Sequence, residues 1–458
     1  MKQFDAIVLG AGQAGPPLAE KLTSAGQTVA FVERNLFGGT CVNTGCTPTK
    51  TMIASAHAAH LARRAADFGV NPLGPVTVDM AKVKARKDKI VADSRTGVEN
   101  WVRGMKGITV FEATASFQSP TEMKVGDEII SAKQIFLNVG ARPAIPDMPG
   151  VDSVPFLTST SILDLDTLPE HLLVVGGGYI GIEFAQMFRR FGSRVTMVER
   201  GPRLLAHEDE DVATCMQQIL EGEGIDIRLN NNCIHLEGSG TNVAIGLECD
   251  TDEQRIEGSH ILLAIGRTPN TDDLNCAAAG ITQDKHGYIP VDDDLRTNVE
   301  GIYAMGDCNG RSAFTHTSYN DYEIVAANLL TTEKRSLRDR IPAHAVYSDP
   351  PLAVIGMNET EVRKRGKPAL IGTRPMTRVS RAVEKGESQG FIKVLVDAET
   401  KLILGATIFG VGGDEAIHCI LTCMYAKRPY TLLTHSVHIH PTVAELIPTV
   451  FEDLKPLQ

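Results

Sequence analysis

The chain runs twice through the same short pattern: an apolar strand-like run, glycines spaced G-x-G-x-x-G, a helix-like run, and a second apolar run that ends on glutamate. Ala6-Ile7-Val8-Leu9 leads into Gly10-Ala11-Gly12-Gln13-Ala14-Gly15, and the run Thr28 to Val32 ends at Glu33. Leu172 to Val175 leads into Gly176-Gly177-Gly178-Tyr179-Ile180-Gly181, a helical run continues to Phe191, and Arg194 to Val198 ends at Glu199. Each copy is a complete βαβ dinucleotide fingerprint. The first glycine permits the tight turn, the second lets a pyrophosphate approach the backbone, the third lets helix and strand pack closely, and the acid accepts a ribose hydroxyl. One G-x-G-x-x-G alone is weak evidence, but the flanking strands, helix and acid supply the context it needs. Two such units call for two dinucleotides, and the chemically useful pairing is FAD with a nicotinamide. The expected fold class is α/β, with two Rossmann-like dinucleotide-binding domains.

Composition excludes several other functions. Hydrophobic residues make up 43% of the 458 and charged residues 22%, an ordinary globular balance. The net charge of -11 disfavours nucleic acid and anionic membrane surfaces. The densest basic stretch, Lys82 to Lys89, is interrupted by Asp88 and reads as a solvated helix face. The amino-terminal apolar run is too short for a signal peptide, and no stretch reaches the roughly 18 apolar residues of a membrane span, so a soluble, cytoplasmic protein with no membrane partner is expected. Nine cysteines, an odd number, argue against a disulfide framework. Cys215, Cys233, Cys249, Cys276 and Cys308 are scattered, and Cys419 and Cys423 would share a helix face. No further ligands lie near them at metal-site spacing, so no metal site is expected.

Between and after the two units, further punctuation appears. Ala113 to Phe117 and Gln134 to Pro143 read as strands returning to the first unit, and Pro146, Pro149 and Gly150 mark a linker. Ile261 to Ile265 runs into Gly266-Arg267-Thr268-Pro269, echoing Gly140-Ala141-Arg142-Pro143, and a short strand then ends at Gly306-Asp307. Beyond Pro342 come strands at Phe391 to Val396 and Leu402 to Ile408 and a helix at Asp414 to Ala426, with no glycine fingerprint. That is a third domain with another task.

The chemistry is concentrated in Gly38-Gly39-Thr40-Cys41-Val42-Asn43-Thr44-Gly45-Cys46-Thr47-Pro48-Thr49-Lys50, directly after the first βαβ unit. Its C-x4-C pair projects toward the cofactor, where two thiols can cycle between disulfide and dithiol. With the two fingerprints, the Gly306-Asp307 pair and the tail His438-Ile439-His440-Pro441-Thr442-Val443-Ala444-Glu445, in that order, the sequence closely resembles the pyridine nucleotide-disulfide oxidoreductase family. That family includes dihydrolipoamide dehydrogenase, glutathione reductase and mercuric reductase, and the resemblance covers essentially the whole chain.

The resemblance implies a split FAD-binding domain over 1–148 and 272–342, an NAD(P)-binding domain over 149–271, and an α+β dimerisation domain over 343–458. Cys41 is similar to the interchange thiol that meets substrate, and Cys46 to the thiol nearer the flavin. Lys50 and Glu183 resemble the ion pair beside the flavin. Gly10, Gly12, Gly15, Glu33, Thr40, Ala115, Gly140, Asp307, Thr315 and His316 fall at FAD-binding positions, with Asp307 matching the acid of the ribityl chain. Gly176, Gly178, Tyr179, Gly181, Glu199, Arg200 and Gly266 fall at NAD(P)-binding positions, with Tyr179 matching an aromatic over the nicotinamide pocket. His440 and Glu445 look like the acid-base dyad supplied by the other subunit of a homodimer, while His435 and His438 read as structural. A histidine titrates near working pH and needs a carboxylate to fix its tautomer, which agrees with this pairing.

Glu199 favours NADH by accepting the 2′-hydroxyl and repelling a 2′-phosphate, while Arg200 and Arg203 leave NADPH open. The implied function is an FAD-dependent NAD(P)H oxidoreductase that uses a Cys41-Cys46 redox disulfide on a disulfide, dithiol or other thiol-reactive substrate. Glu199 points away from a glutathione reductase. The tail, lacking the cysteines of mercuric reductases, points away from dedicated Hg(II) reduction. The alternatives are a metal-ion or quinone reductase and, less favoured, a non-enzymatic redox sensor.

Overall fold

The computed structural model describes residues 1–71, 74–231, 234–239, 242–247 and 254–457; Cys233 and Cys249 lie outside them. Strand β1 (Lys2–Leu9), helix α1 (Gly15–Ser24) and strand β2 (Val29–Glu33) form the first βαβ unit, with Ala6 opposite Val29 in a parallel pair. Every residue of β2 and the last four of β1 are buried, the continuous apolar run of a parallel strand covered on both faces. Helix α2 (Cys46–Arg63) and helix α3 (Met80–Arg103) follow, and strand β3 (Glu128–Leu137) then pairs in parallel with β1 on its other side. The later strand Ile302–Ala304 adds to β3, completing a seven-stranded sheet.

Strand β4 (His171–Val175), helix α4 (Tyr179–Phe191) and strand β5 (Arg194–Val198) repeat the unit in a separate five-stranded sheet. The two units share one close-packing detail. A Cβ on Gly15 would stand 2.1 Å from the carbonyl oxygen of Gly10, and one on Gly181 would stand 2.2 Å from that of Gly176. In each unit only a hydrogen on the third glycine lets the helix sit on the first turn. Phe184, Phe188 and Phe191, at helical spacing, bury the inner face of α4. Truncating such a ring to alanine costs about 3–5 kcal/mol.

Helix α5 (Thr315–Leu330) returns to the first sheet, and strands β6 (Ala343–Val346) and β7 (Leu352–Gly356) open a six-stranded antiparallel sheet. Helix α6 (Gly413–Tyr425) packs on that sheet through Ala416, Ile417 and Ile420. The mixed α/β architecture thus has two Rossmann-like sheets and an α+β carboxy-terminal layer, as expected. Among the described residues no helix is long and apolar enough to cross a membrane.

One expectation is corrected here. The basic stretch on α3 is not a uniformly solvated face: Lys87 is 4% exposed, in line with Met80 and Val91, and its ammonium lies against Asp88 and 3.8 Å from Asp164. Cys419 and Cys423, one turn apart on α6, differ in environment. Cys419 is exposed on α6, while Cys423 is buried with its thiol on the Arg428 carbonyl.

Candidate active site

A cavity of about 1630 Å³ lies where the three layers meet. From the first unit it is lined by Gly10, Gly12 and Glu33, then by Thr40, Cys41, Cys46, Lys50, Ala115 and Gly140. Asp307, Thr315 and His316 close one side, and Tyr179, Glu183 and Gly266 face them from the second unit. Residues as far apart in sequence as Gly10 and His316 therefore line one space. Gly15, Gly176, Gly178 and Gly181 serve the loops behind it.

The thiol segment is laid directly on the fingerprint loop. Gly38 and Gly39 both have positive φ, and a Cβ on Gly39 would come within 2.7 Å of the Gly12 Cα. Cys41 sits in the single turn Gly39–Asn43, whereas Cys46 is the first residue of α2. Partial positive charge at a helix amino terminus favours a thiolate there. The Cys46 thiol is lowered to about 6, mainly by a hydrogen bond from Cys41, with help from the Thr315 hydroxyl at 3.2 Å and the Lys50 ammonium, against the effect of burial. Cys41 moves upward, because it donates to Cys46 and is buried. The two thiols are thus driven in opposite directions, Cys46 toward thiolate and Cys41 toward thiol.

Lys50, one turn along α2, bonds both oxygens of Glu183 on α4 at 3.0 and 2.7 Å. The Tyr347 backbone N–H donates to the same carboxylate at 2.9 Å, and the Tyr347 ring lies 4.6 Å from the Lys50 ammonium. Tyr179, first residue of α4, turns its ring to His344 with centroids 5.2 Å apart. Its hydroxyl donates to Glu208 at 2.5 Å, and His344 Nε2 meets the same Glu208 oxygen at 2.9 Å. Burial and the Glu208 charge push the Tyr179 phenol upward, so it stays neutral.

The two terminal acids repeat each other as the glycines do. Glu33 accepts the N–H groups of Ala11 at 2.7 Å and Asn35 at 2.8 Å, while Glu199 accepts those of Gly177 and Gly201, both at 2.6 Å. Each carboxylate is thus tied to the residue after the first fingerprint glycine and keeps further lone pairs free for a ribose. Arg200 is exposed, and Arg203 donates to the Ala206 carbonyl at 3.2 Å.

In the tail, His440 Nδ1 meets Glu445 at 2.8 and 3.1 Å. The His440 side chain is 74% exposed, and neither residue lines the cavity of its own chain. His438 is held by the Leu433 carbonyl.

The comparisons with known proteins decide the family. Residues 4–321 match the family model described as pyridine nucleotide-disulphide oxidoreductase, and residues 342–451 match the dimerisation domain of the same family. The chain belongs to the pyridine nucleotide-disulfide oxidoreductase family. A probable pyridine nucleotide-disulfide oxidoreductase, RclA of Escherichia coli K12, is 34% identical over 464 residues, spanning 99% of this chain and 100% of that protein. Dihydrolipoyl dehydrogenase of Chlamydia muridarum is 32% identical, covering 97% and 95%, and mercuric reductase of Staphylococcus aureus 31%, covering 96% and 81%. A Cu(II) complex of the HOCl-induced flavoprotein disulfide reductase RclA from Escherichia coli superposes with a TM-score of 0.90 at 33% identity, over 99% of each chain. As a member of this family the protein is an FAD-dependent NAD(P)H oxidoreductase.

The residues present fit FAD. Asp307 lines the cavity with Arg267 at 3.4 Å as its counter-charge, and its carboxyl oxygens can accept from sugar-like hydroxyls although burial raises its pKa. Arg267 Nε and Asn43 Oδ1, both buried and both in residues lining the cavity, have no hydrogen-bond partner among the described residues. They are donor and acceptor positions for a polar ligand. Glu208, His344 and Tyr347 carry none of the glycine or cysteine punctuation that marks the other site residues.

Proposed function

We propose that the enzyme reduces disulfides or other thiol-reactive electrophiles with NADH. Cys41 is the nucleophile, Cys46 the thiolate that restores the disulfide, and His440 of a second subunit the acid-base group. The Gly10 loop, Glu33, Thr40, Ala115, Asp307 and the amino terminus of α5 would hold FAD, which when bound would supply the two-electron relay between NAD(P)H and the Cys41-Cys46 disulfide. The observation that carries the reading is the placement of the two thiols in one cavity, with Cys46 at the amino terminus of α2, 3.2 Å from the Thr315 hydroxyl and one turn from the Lys50–Glu183 ion pair. Cys41, once deprotonated by an imidazole, attacks a substrate sulfur and displaces the other as a thiolate, which the imidazolium protonates. Cys46 then attacks Cys41, releases the second thiol and closes the disulfide again. The dyad and the domain division at 1–148 with 272–342, 149–271 and 343–458 follow from the family resemblance.

Anaerobic addition of one equivalent of NADH to the purified yellow protein is expected to give a long-wavelength thiolate-flavin band that Cys46→Ser abolishes. Reduction with no such band would overturn the role of the pair. A second acceptor class is favoured by one observation, the Cu(II) complex of Escherichia coli RclA. A turnover screen of disulfides, quinones, Cu(II) and Hg(II) separates the two classes.

A further inference from the structure

Tyr347 belongs to no motif, yet it touches both members of the ion pair that flanks the redox thiols. It is the first residue after β6, in the connection to β7, and it lines the cavity. Its backbone N–H fixes Glu183 Oε1, and its ring centroid lies 4.6 Å from the Lys50 ammonium. The connection itself is pinned to α4 two residues later. Asp349 N–H donates to Gln186 Oε1 at 2.8 Å, Gln186 Nε2 returns a bond to the Asp349 carbonyl at 2.8 Å, and the Asp349 carboxylate is bonded by Arg190.

Lysine is a point charge on a flexible stem, so two bonds to one carboxylate limit its distance but leave it free to swing about that carboxylate. An aromatic face against the ammonium attracts the cation by about 0.5–2 kcal/mol and restricts that freedom. We propose that Tyr347 is a positioning residue: its ring holds the Lys50 ammonium, and its N–H holds Glu183, in the arrangement that places positive charge toward Cys46. The carboxy-terminal domain thereby contributes to the redox centre of its own chain, a role distinct from the dyad offered to a partner. The charged groups facing Tyr347 are Glu183 from α4, Cys46 from α2, and Asp414 and Glu415 from the start of α6. This inference rests on the assignment of Cys46 as the thiolate of the pair.

The test follows the Cys46 thiolate by its ultraviolet absorbance in reduced, desalted holoenzyme as pH is varied, with no nicotinamide present. Lys50→Met sets the full effect of losing the ammonium. Tyr347→Leu, which keeps the N–H and loses the ring, is expected to raise the midpoint by about half a unit to one unit. Tyr347→Phe should restore it, and Tyr347→Leu added to Lys50→Met should move it no further. Tyr347 is 37% exposed, so the core does not depend on it; should the leucine variant melt early, Tyr347→Met carries the same comparison. A midpoint that shifts with Lys50→Met but not with Tyr347→Leu or Tyr347→Met would overturn the inference, as would additivity in the double variant. Absence of any low-midpoint thiolate in the wild-type enzyme would instead overturn the assignment of Cys46.

Discussion

A free thiol in water titrates at about 8.5, and Cys46 is brought to about 6 by neighbours that cost the fold little: one thiol, one hydroxyl, one ammonium and a helix terminus. Because the Cys41 hydrogen bond is the largest of these, Cys41→Ala is expected to return the Cys46 midpoint toward the ordinary range by about one unit or more. Thiolate absorbance against pH reads this directly, and an unmoved midpoint would transfer the effect to Lys50 and Thr315. Nicotinamide choice is equally local. Glu199 is locked to Gly177 and Gly201, so its charge stands fixed at the end of β5, where a 2′-phosphate would meet it. Glu199→Ala should raise the ratio of kcat/KM for NADPH over NADH by about tenfold, equivalent to about 1.4 kcal/mol. A ratio that stays constant would move the preference to Arg200 and Arg203. These residues were legible because each sits at a fixed offset from a glycine or a second cysteine.

At the scale of elements, α2 is tethered at both ends. Cys46 begins it, and three turns later His57 Nδ1 meets Asp349 at 2.6 Å, where Arg190 of α4 also bonds. The Asp349 carboxylate raises the His57 pKa, while His57 and Arg190 hold Asp349 well below the usual carboxylate range despite its burial. For a histidine raised in the folded state, the stabilisation is complete below about pH 6.5, the unfolded value, and disappears as pH rises through the folded value. For the depressed aspartate it is present above about pH 3.9 and lost on acidification. The His57→Gln variant should therefore lose melting temperature at pH 6 and little at pH 9; an equal loss at both would assign His57 a packing role. None of this tether was legible in the sequence. The helices and strands themselves were, since their apolar periods and glycine stops are local signals. The pairings His57 with Asp349, Glu183 with Tyr347 and Glu208 with His344 join residues more than 130 positions apart, by side chains whose types are common on any surface. The same blindness produced the error at Lys87, where helical phase put a lysine on the buried side and only the fold supplied Asp164.

The whole molecule leaves its acid-base chemistry unfinished. The cavity holds both thiols, the ion pair and the dinucleotide-facing glycines, yet the tail that carries His440 and Glu445 lines none of it. That tail instead presents Val437 fully exposed and Ile439 80% exposed beside the dyad, apolar surface that a monomer would leave in water. A dimerisation domain occupies the same third of the chain. On the proposed function, each tail in a symmetric dimer would meet the other chain's cavity and complete two identical sites, each taking Cys41 from one chain and His440 from its partner. Cys41→Ser and His440→Ala chains are each expected to be nearly inactive alone. Co-refolded in equal amounts, half of the dimers carry one chain of each kind, and each such dimer regains one of its two sites, so activity should recover to about a quarter of wild type. If both groups served within one chain, no mixing ratio would restore activity, because every chain in the mixture lacks one of them.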